Sequence, residues 1–390
     1  MGTTPLFDIA SDVKRTKQTK VAQIDGGHRR GADACYEIFS SFAFGLRFAA
    51  TSAQMKTTEI NNRRYLGNKY KLLPFIKRVV EENCHDVRIF ADLFSGSGSV
   101  ASAFTESTII TNDILYSNYI CNLAWFSPQH FDEGKVKATI ECYNQIRTEE
   151  RNYMSENFAN TFFSLADCAK IGAIREDIER RFGTQEINER ERALLITSLL
   201  YAMDKIANTC GHYDAFRRGA AFEKQLEMYY PNASNGNNRN NRCYNSDINA
   251  IAREIAADIV YLDPPYNSRQ YCDAYHLLEN VARWEKPAVF GVARKMDRGR
   301  LKSKYCTRSA AAALEDLVGN LNCRYILLSY NNMKKKGNDR SNAKISDEDL
   351  NRILSTRGAV RVFSERYRPF SAGKSDIRGN EERLFLCECE

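Results

Sequence analysis

Asp258-Ile259-Val260-Tyr261-Leu262-Asp263-Pro264-Pro265-Tyr266 is the stretch that decides the fold. The run from Ile259 to Leu262 is apolar and partly β-branched, as in a strand buried on both faces. Two prolines stop it, because neither can donate a hydrogen bond to a ladder. A carboxylate, backbone carbonyls without a competing N–H beside them, and an aromatic ring are thereby held at the C-terminal end of a strand. In open α/β sheets, ligands bind at that end. The set suits the gripping of a planar ring that bears an amino group. Asp263 and the Asp263–Pro264 carbonyls can accept both amino hydrogens while Tyr266 stacks on the ring. Taken alone, a proline pair after a strand is ordinary turn punctuation, so the context has to carry the argument.

Upstream, Val87 to Phe94 reads as another buried strand, and it runs directly into Ser95-Gly96-Ser97-Gly98-Ser99-Val100-Ala101. Strand, glycine turn and small-residue helix is the order in which a cofactor can approach backbone N–H groups. The third glycine of the dinucleotide fingerprint is missing, which disfavours a dehydrogenase. Asp92 is too polar for casual use at a strand end. Thr108-Ile109-Ile110-Thr111 predicts a second strand ending at Asn112-Asp113, where an acidic side chain either holds ribose hydroxyls or caps a helix. Ahead of both, Tyr65-Leu66-Gly67-Asn68-Lys69 precedes an amphipathic run that predicts a helix starting near Pro74.

Arg242 to Asn245 predicts a short strand closed by Ser246-Asp247-Ile248. Asp247 there either accepts from a cofactor amine or caps the next helix. Further strands are expected at Arg324 to Tyr330, Ala359 to Ser364 and Arg383 to Cys387. Strands alternating with helical stretches give a mostly parallel sheet covered on both sides. Between 115 and 240, charged helical patterns alternate with aromatic patches. The stretch from Asp204 to Gly219, with His212, Arg217 and Arg218, mixes side chains suited to phosphates and to base edges.

The 390 residues carry a net charge of +7 and are 43% hydrophobic, enough for one large domain and a smaller one. Seven cations (Arg294, Lys295, Arg298, Arg300, Lys302, Lys304 and Arg308) lie between Gly291 and Ala310 against the single acid Asp297. A second basic run extends from Lys334 to Lys344. Both read as solvated loops or as phosphate contacts. The 12 cysteines are scattered, with no metal-ligand spacing. The expectation is reduced thiols in a cytoplasmic protein with no metal site. Residues 1–54 are expected to be a poorly ordered extension, with Met55 the natural start. Their apolar stretch is broken by Arg47 and too short to span a bilayer.

Taken in order, Tyr65 to Lys69, Asp92-Leu93-Phe94-Ser95-Gly96-Ser97-Gly98, Asp113 and Asp263-Pro264-Pro265-Tyr266 resemble the motifs of the adenine-specific N6 DNA methyltransferases of the D12 class. The resemblance covers residues 63 to about 388. It implies a Rossmann-like seven-stranded α/β methyltransferase fold with S-adenosyl-L-methionine as cofactor. The catalytic domain would comprise 55–116 and 241–390, with a mainly helical DNA target-recognition region inserted at 117–240. Tyr65, Gly67, Lys69, Asp92, Phe94, Gly96 and Gly98 would surround the cofactor's methionine end. Asp113 would hold its ribose, and Asp247 with Ile248 its adenine. Asp263, Pro264, Pro265 and Tyr266 would grip a flipped adenine, and Ser329-Tyr330 would line the target pocket. Arg217, Arg218, Arg298, Arg300, Lys302 and Lys304 would touch double-stranded DNA. A cognate restriction endonuclease would act separately. RNA amino-group methylation and a catalytically silent DNA-binding protein are the alternatives. The intact Asp-Pro-Pro-Tyr and glycine turn argue against the silent one.

Overall fold

Five parallel strands run side by side through the centre of the computed structural model, which describes residues 55–331, 343–366 and 381–390. The expectations for residues 1–54 and for Lys334 to Arg340 lie outside the described residues. In chain order the strands of the main sheet are β1 (Ile89–Asp92), β2 (Thr108–Asn112), β3 (Arg242–Tyr244), β4 (Ala256–Leu262), β5 (Asn322–Asn331), β6 (Gly358–Arg366) and β7 (Glu381–Cys389). Their order across the sheet is β3-β2-β1-β4-β5-β7-β6. Strand β7 is antiparallel to both β5 and β6.

Register sets the site. Asp92 pairs with Thr111 on one side and Tyr261 on the other, and Thr111 pairs with Cys243. The C-terminal ends of β1, β2, β3 and β4 therefore open at one edge, where ligands bind in such sheets. Each strand stops where the side chains turn polar or the backbone loses its donor, at Asn112-Asp113, Ser246-Asp247 and Asp263-Pro264.

The helices are α1 (Leu73–Asn83), α2 (Tyr116–Phe126), α3 (Glu133–Gln145), α4 (Tyr153–Phe158), α5 (Leu165–Gly183), α6 (Glu189–Ile206), α7 (His276–Arg283), α8 (Ala310–Asn320) and α9 (Asp347–Leu354), with shorter turns between. Helix α1 begins with Pro74 in its first turn and buries Phe75, Ile76, Val79 and Val80, as the spacing predicts. Helix α6 opens on a capping box: the Asn188 side chain accepts from Glu191 N–H, and the Glu191 carboxylate accepts from Asn188 N–H. On one face of the sheet Leu93, Val260, Leu262, Ile326 and Leu328 pack with Leu314 and Leu317 of α8 and Leu350 of α9.

One expectation fails. No α-helix follows the glycine turn; only a 3₁₀ turn, Ala101–Ala103, separates β1 from β2. Serine chemistry explains this. The Ser102 hydroxyl donates to Ser99 O at 2.7 Å, and the Ser97 and Ser99 hydroxyls pair at 2.9 Å, so local bonds compete with a helical ladder. Residues 55–390 form one compact unit. Among the described residues no helix is long and apolar enough to cross a membrane, and no group of His, Cys, Asp or Glu is arranged to hold a metal ion.

Candidate active site

The loops after β1 to β4 border a cleft with about 810 Å³ of atom-free space, open to solvent. Its wall includes Tyr65, Gly67, Phe94, Asp113, Asp247, Ile248, Asp263 and Pro265. Asn112 ties three of the loops together. Its amide nitrogen donates to Leu93 O and to Ser246 O, both at 3.2 Å, while its amide oxygen accepts from Ser246 N–H at 3.2 Å. Its backbone oxygen receives Ser95 N–H at 3.0 Å. In the sequence Asn112 reads only as a strand end; its signal is an asparagine directly before the acidic residue.

Tyr65 is the floor of a three-ring stack. Its ring lies 4.8 Å from that of Tyr275 at 11° and 5.5 Å from that of Tyr271 at 29°, centroid to centroid. The same two tyrosines fix the next residue: Leu66 N–H donates to the Tyr275 hydroxyl at 2.6 Å, and the Tyr271 hydroxyl donates to Leu66 O at 3.2 Å. Neither was singled out from the sequence, although a Tyr-x-x-x-Tyr spacing on a helical turn puts both rings on one side.

The two glycines of the turn do different work. Gly96 has φ +50°, its N–H donates to Asp113 Oδ2 at 2.9 Å, and a Cβ there would lie 2.8 Å from the Tyr65 ring. Gly98 has φ +80°, and a Cβ would lie 2.5 Å from Asn122 Oδ1 on α2. Gly98 is therefore required by packing within the chain. Neither glycine lines the cleft, and neither do Asp92 and Lys69.

Asp113 also accepts Leu115 N–H at 2.8 Å in the loop before α2 while bordering the cleft; it does not cap that helix, whose first N–H groups, those of Tyr116 and Ser117, donate to the Glu279 carboxylate. Burial pushes the Asp113 carboxyl up to about 6 against the Leu115 and Gly96 N–H donors. Asp92 is 1% exposed; burial, with Asp263 adding to it, holds its carboxyl well above the usual range, and its Oδ1 has no hydrogen-bond partner among the described residues. Asp247 caps the turn at Ile248–Ile251 by accepting Asn249 N–H at 3.1 Å, and it sits 3.6 Å from Lys304 Nζ. Both of its readings are thus compatible: it caps, and it faces the cleft.

Asp263 receives Lys69 Nζ at 2.9 Å. Burial pushes its carboxyl up to about 6, with Lys69 opposing and Glu382 of β7 adding to the rise. Tyr266 meets Tyr330 edge-on at 6.3 Å, and Tyr266 O accepts Lys344 N–H at 2.8 Å. Ser329 and Tyr330 are 2% and 1% exposed, and the Tyr330 hydroxyl accepts Ile345 N–H at 3.1 Å. Tyr330 thus braces Tyr266 from below.

The cations divide. Arg217, Arg218, Arg300, Lys302 and Lys304 are exposed, and Lys302 and Lys304 stand on the cleft wall. Arg298 is engaged within the chain, its Nε 2.7 Å from Asp273 Oδ1 and its Nη1 donating to Met296 O.

A sheet of this order, with acidic residues closing successive strands beside an Asp-Pro-Pro-Tyr corner, defines a methyltransferase fold. The pattern of the D12 class N6 adenine-specific DNA methyltransferases matches residues 65–340, and the chain belongs to that family. Modification methylase LlaI of Lactococcus lactis subsp. lactis is 32% identical over 344 residues, which is 82% of this chain and 53% of that protein. Modification methylase StsI of Streptococcus sanguinis is 34% identical over 82% of this chain and 50% of its own length. Type II methyltransferase M.NlaIII of Neisseria lactamica is 30% identical over 81% of this chain and 95% of its own length. The chain thus spans about half the length of the first two and nearly all of the third.

Proposed function

We propose that this protein is a site-specific DNA adenine N6-methyltransferase, the modification component of a restriction-modification system. It would transfer a methyl group from S-adenosyl-L-methionine to the exocyclic amine of an adenine rotated out of duplex DNA. The observation that carries this reading is the placement of Asp263 and Pro265 on the same cleft wall as Asp113 and Asp247. The cleft suits such a cofactor by its donor chemistry. Carboxylates after successive strands match hydroxyl and amine hydrogens, and Phe94 and Ile248 offer apolar walls. Asp113 would hold the ribose, Asp247 and Ile248 the adenine, and the turn from Tyr65 with that at Gly96 the methionine end.

The bound cofactor supplies an electrophilic methyl on a sulfonium centre. The chain's own work concerns the acceptor. Adenine's amine is a poor nucleophile because its lone pair is delocalised into the ring. Asp263 and the backbone carbonyl of Pro264 accept its two hydrogens, which favours a pyramidal nitrogen with a localised pair. Attack then depends on positioning and electrostatics. Held in the cleft, S-adenosyl-L-methionine would supply the methyl group and be left as a neutral thioether, and the surplus amine proton would leave to solvent. Rotating the base out costs a few kcal/mol, part of which stacking on Tyr266 returns. Residues 117–240 would read the target sequence, with Arg217, Arg218, Arg300, Lys302 and Lys304 on the DNA backbone. A cognate endonuclease would act as a separate partner in the same cytoplasm.

Base-resolved modification mapping of DNA from cells expressing the chain, beside an Asp263→Ala control, tests this directly. The expected result is N6-methyladenine in one sequence context and none in the control. Its absence with the unaltered chain overturns the reading.

A further inference from the structure

We infer that Lys69 is a positioning residue for Asp263: its ammonium fixes one carboxylate oxygen and leaves the other to accept an amino hydrogen of the target base. The inference rests on the role proposed for Asp263 and redirects Lys69, which the family resemblance assigns to the cofactor.

The geometry carries it. Lys69 Nζ is 2.9 Å from Asp263 Oδ1 and 3.4 Å from Gly67 O, and the side chain is only 6% exposed. Asp263 keeps 19% of its side chain exposed and borders the cleft. An ammonium is a compact point donor, so it takes one oxygen and does not span the carboxylate as a guanidinium does. The turn that delivers the lysine is held from outside. Gly67, at φ +76°, follows Leu66, and the Leu66 backbone is gripped by the Tyr271 and Tyr275 hydroxyls. Lys69 is thus placed by the fold before any ligand arrives.

The surroundings make the cation necessary. Asp263 is faced by Glu382 from β7, by Asp92 from β1, and by the phenols of Tyr261, Tyr266 and Tyr271. The two acids and the loss of water all favour a protonated Asp263. A protonated carboxyl presents a hydroxyl toward the base and loses acceptor capacity. Lys69 opposes this, and the pairing in turn satisfies a buried ammonium that would otherwise be costly.

The test compares Lys69→Met, Lys69→Gln and Lys69→Arg in the full chain. Single-turnover methylation of a duplex carrying the mapped site is followed from pH 5 to 9, and S-adenosylmethionine affinity is measured by equilibrium dialysis. The unaltered chain should lose rate as pH falls through about 6. Removing the charge should move that limb up by about 1–3 pH units, the size of a neighbouring-charge effect. At pH 7 this is a loss of roughly 2- to 100-fold across that range, which alkaline pH recovers. Cofactor affinity should stay within about threefold, and Lys69→Arg should keep the limb near its original place. A Lys69→Met chain whose limb stays put while cofactor affinity falls tenfold overturns the inference. Should Lys69→Met melt early, Lys69→Gln supplies the same comparison. Carboxyl NMR titration of Asp263, assigned with Asp263→Asn, reads the Lys69 effect without turnover. It therefore separates failure of this inference from failure to methylate DNA at all.

Discussion

The backbone N–H of Leu66 donates to the hydroxyl of Tyr275 at 2.6 Å, across 209 residues of chain. This bond fixes the turn bearing Gly67 and Lys69 to the helical segment that follows the Asp-Pro-Pro-Tyr corner. Tyr275→Phe keeps the ring stacked on Tyr65 and deletes only the acceptor. A hydrogen bond of this kind is worth about 1 kcal/mol net. Cofactor affinity measured by calorimetric titration should therefore fall about fivefold, with little change in melting temperature. Unaltered affinity would show that the stack alone positions the turn.

The two glycines of the Ser95–Ser99 turn should fail differently. Gly98→Ala forces a Cβ to 2.5 Å from Asn122 Oδ1 at a φ of +80°. Strain and overpacking together should cost roughly 2–4 kcal/mol of stability, read by urea unfolding. Gly96→Ala instead pushes on the Tyr65 ring, 2.8 Å away. Its loss should appear in cofactor affinity more than in the unfolding midpoint.

His276 gives a pH signature. It is fully buried, its Nε2 lies 2.8 Å from Tyr213 O, and burial pushes its pKa down to about 4 from 6.5, with Lys295 and Arg298 adding to the fall. Because the folded value is depressed, its contribution is complete above pH 6.5 and is lost as pH falls through 4. The buried acids Asp113, Asp204 and Asp263, each raised by burial to about 6, act in the opposite sense, favouring the fold as pH drops. The gap between the unaltered chain and His276→Gln isolates the histidine. Between pH 7 and 4 it should close by at most about 3 kcal/mol. A gap independent of pH would contradict burial as the cause.

Among the cations, Arg300→Ala and Lys302→Ala should weaken DNA binding and each lower the salt-dependence slope by about 1. Arg298→Ala should lower the melting temperature instead, because it strips Asp273 of its 2.7 Å partner. Equal salt slopes for all three variants would remove the distinction.

Strand ends were the legible part of this molecule. Strands were expected at 108–111 and 242–245 and lie at Thr108–Asn112 and Arg242–Tyr244, because an apolar β-branched run closed by Asn, Asp, Ser or Pro marks its own boundary. The acidic residues at those ends, Asp113, Asp247 and Asp263, meet on one cleft for the same reason. Two kinds of feature escaped. The helix expected after Gly98 is absent because serine hydroxyls satisfy the turn locally, which glycine spacing does not reveal. Contacts across the sequence, such as Lys69 with Asp263 and Tyr65 with Tyr275, depend on topology, and no local pattern encodes them.

Strand β7 lies between β5 and β6, so the last described strand is an interior one. Its Glu382 also belongs to the charge field around Asp263. Removing β7 would not trim an edge of the sheet; it would divide the sheet between β5 and β6 and take an acid away from the surroundings of Asp263.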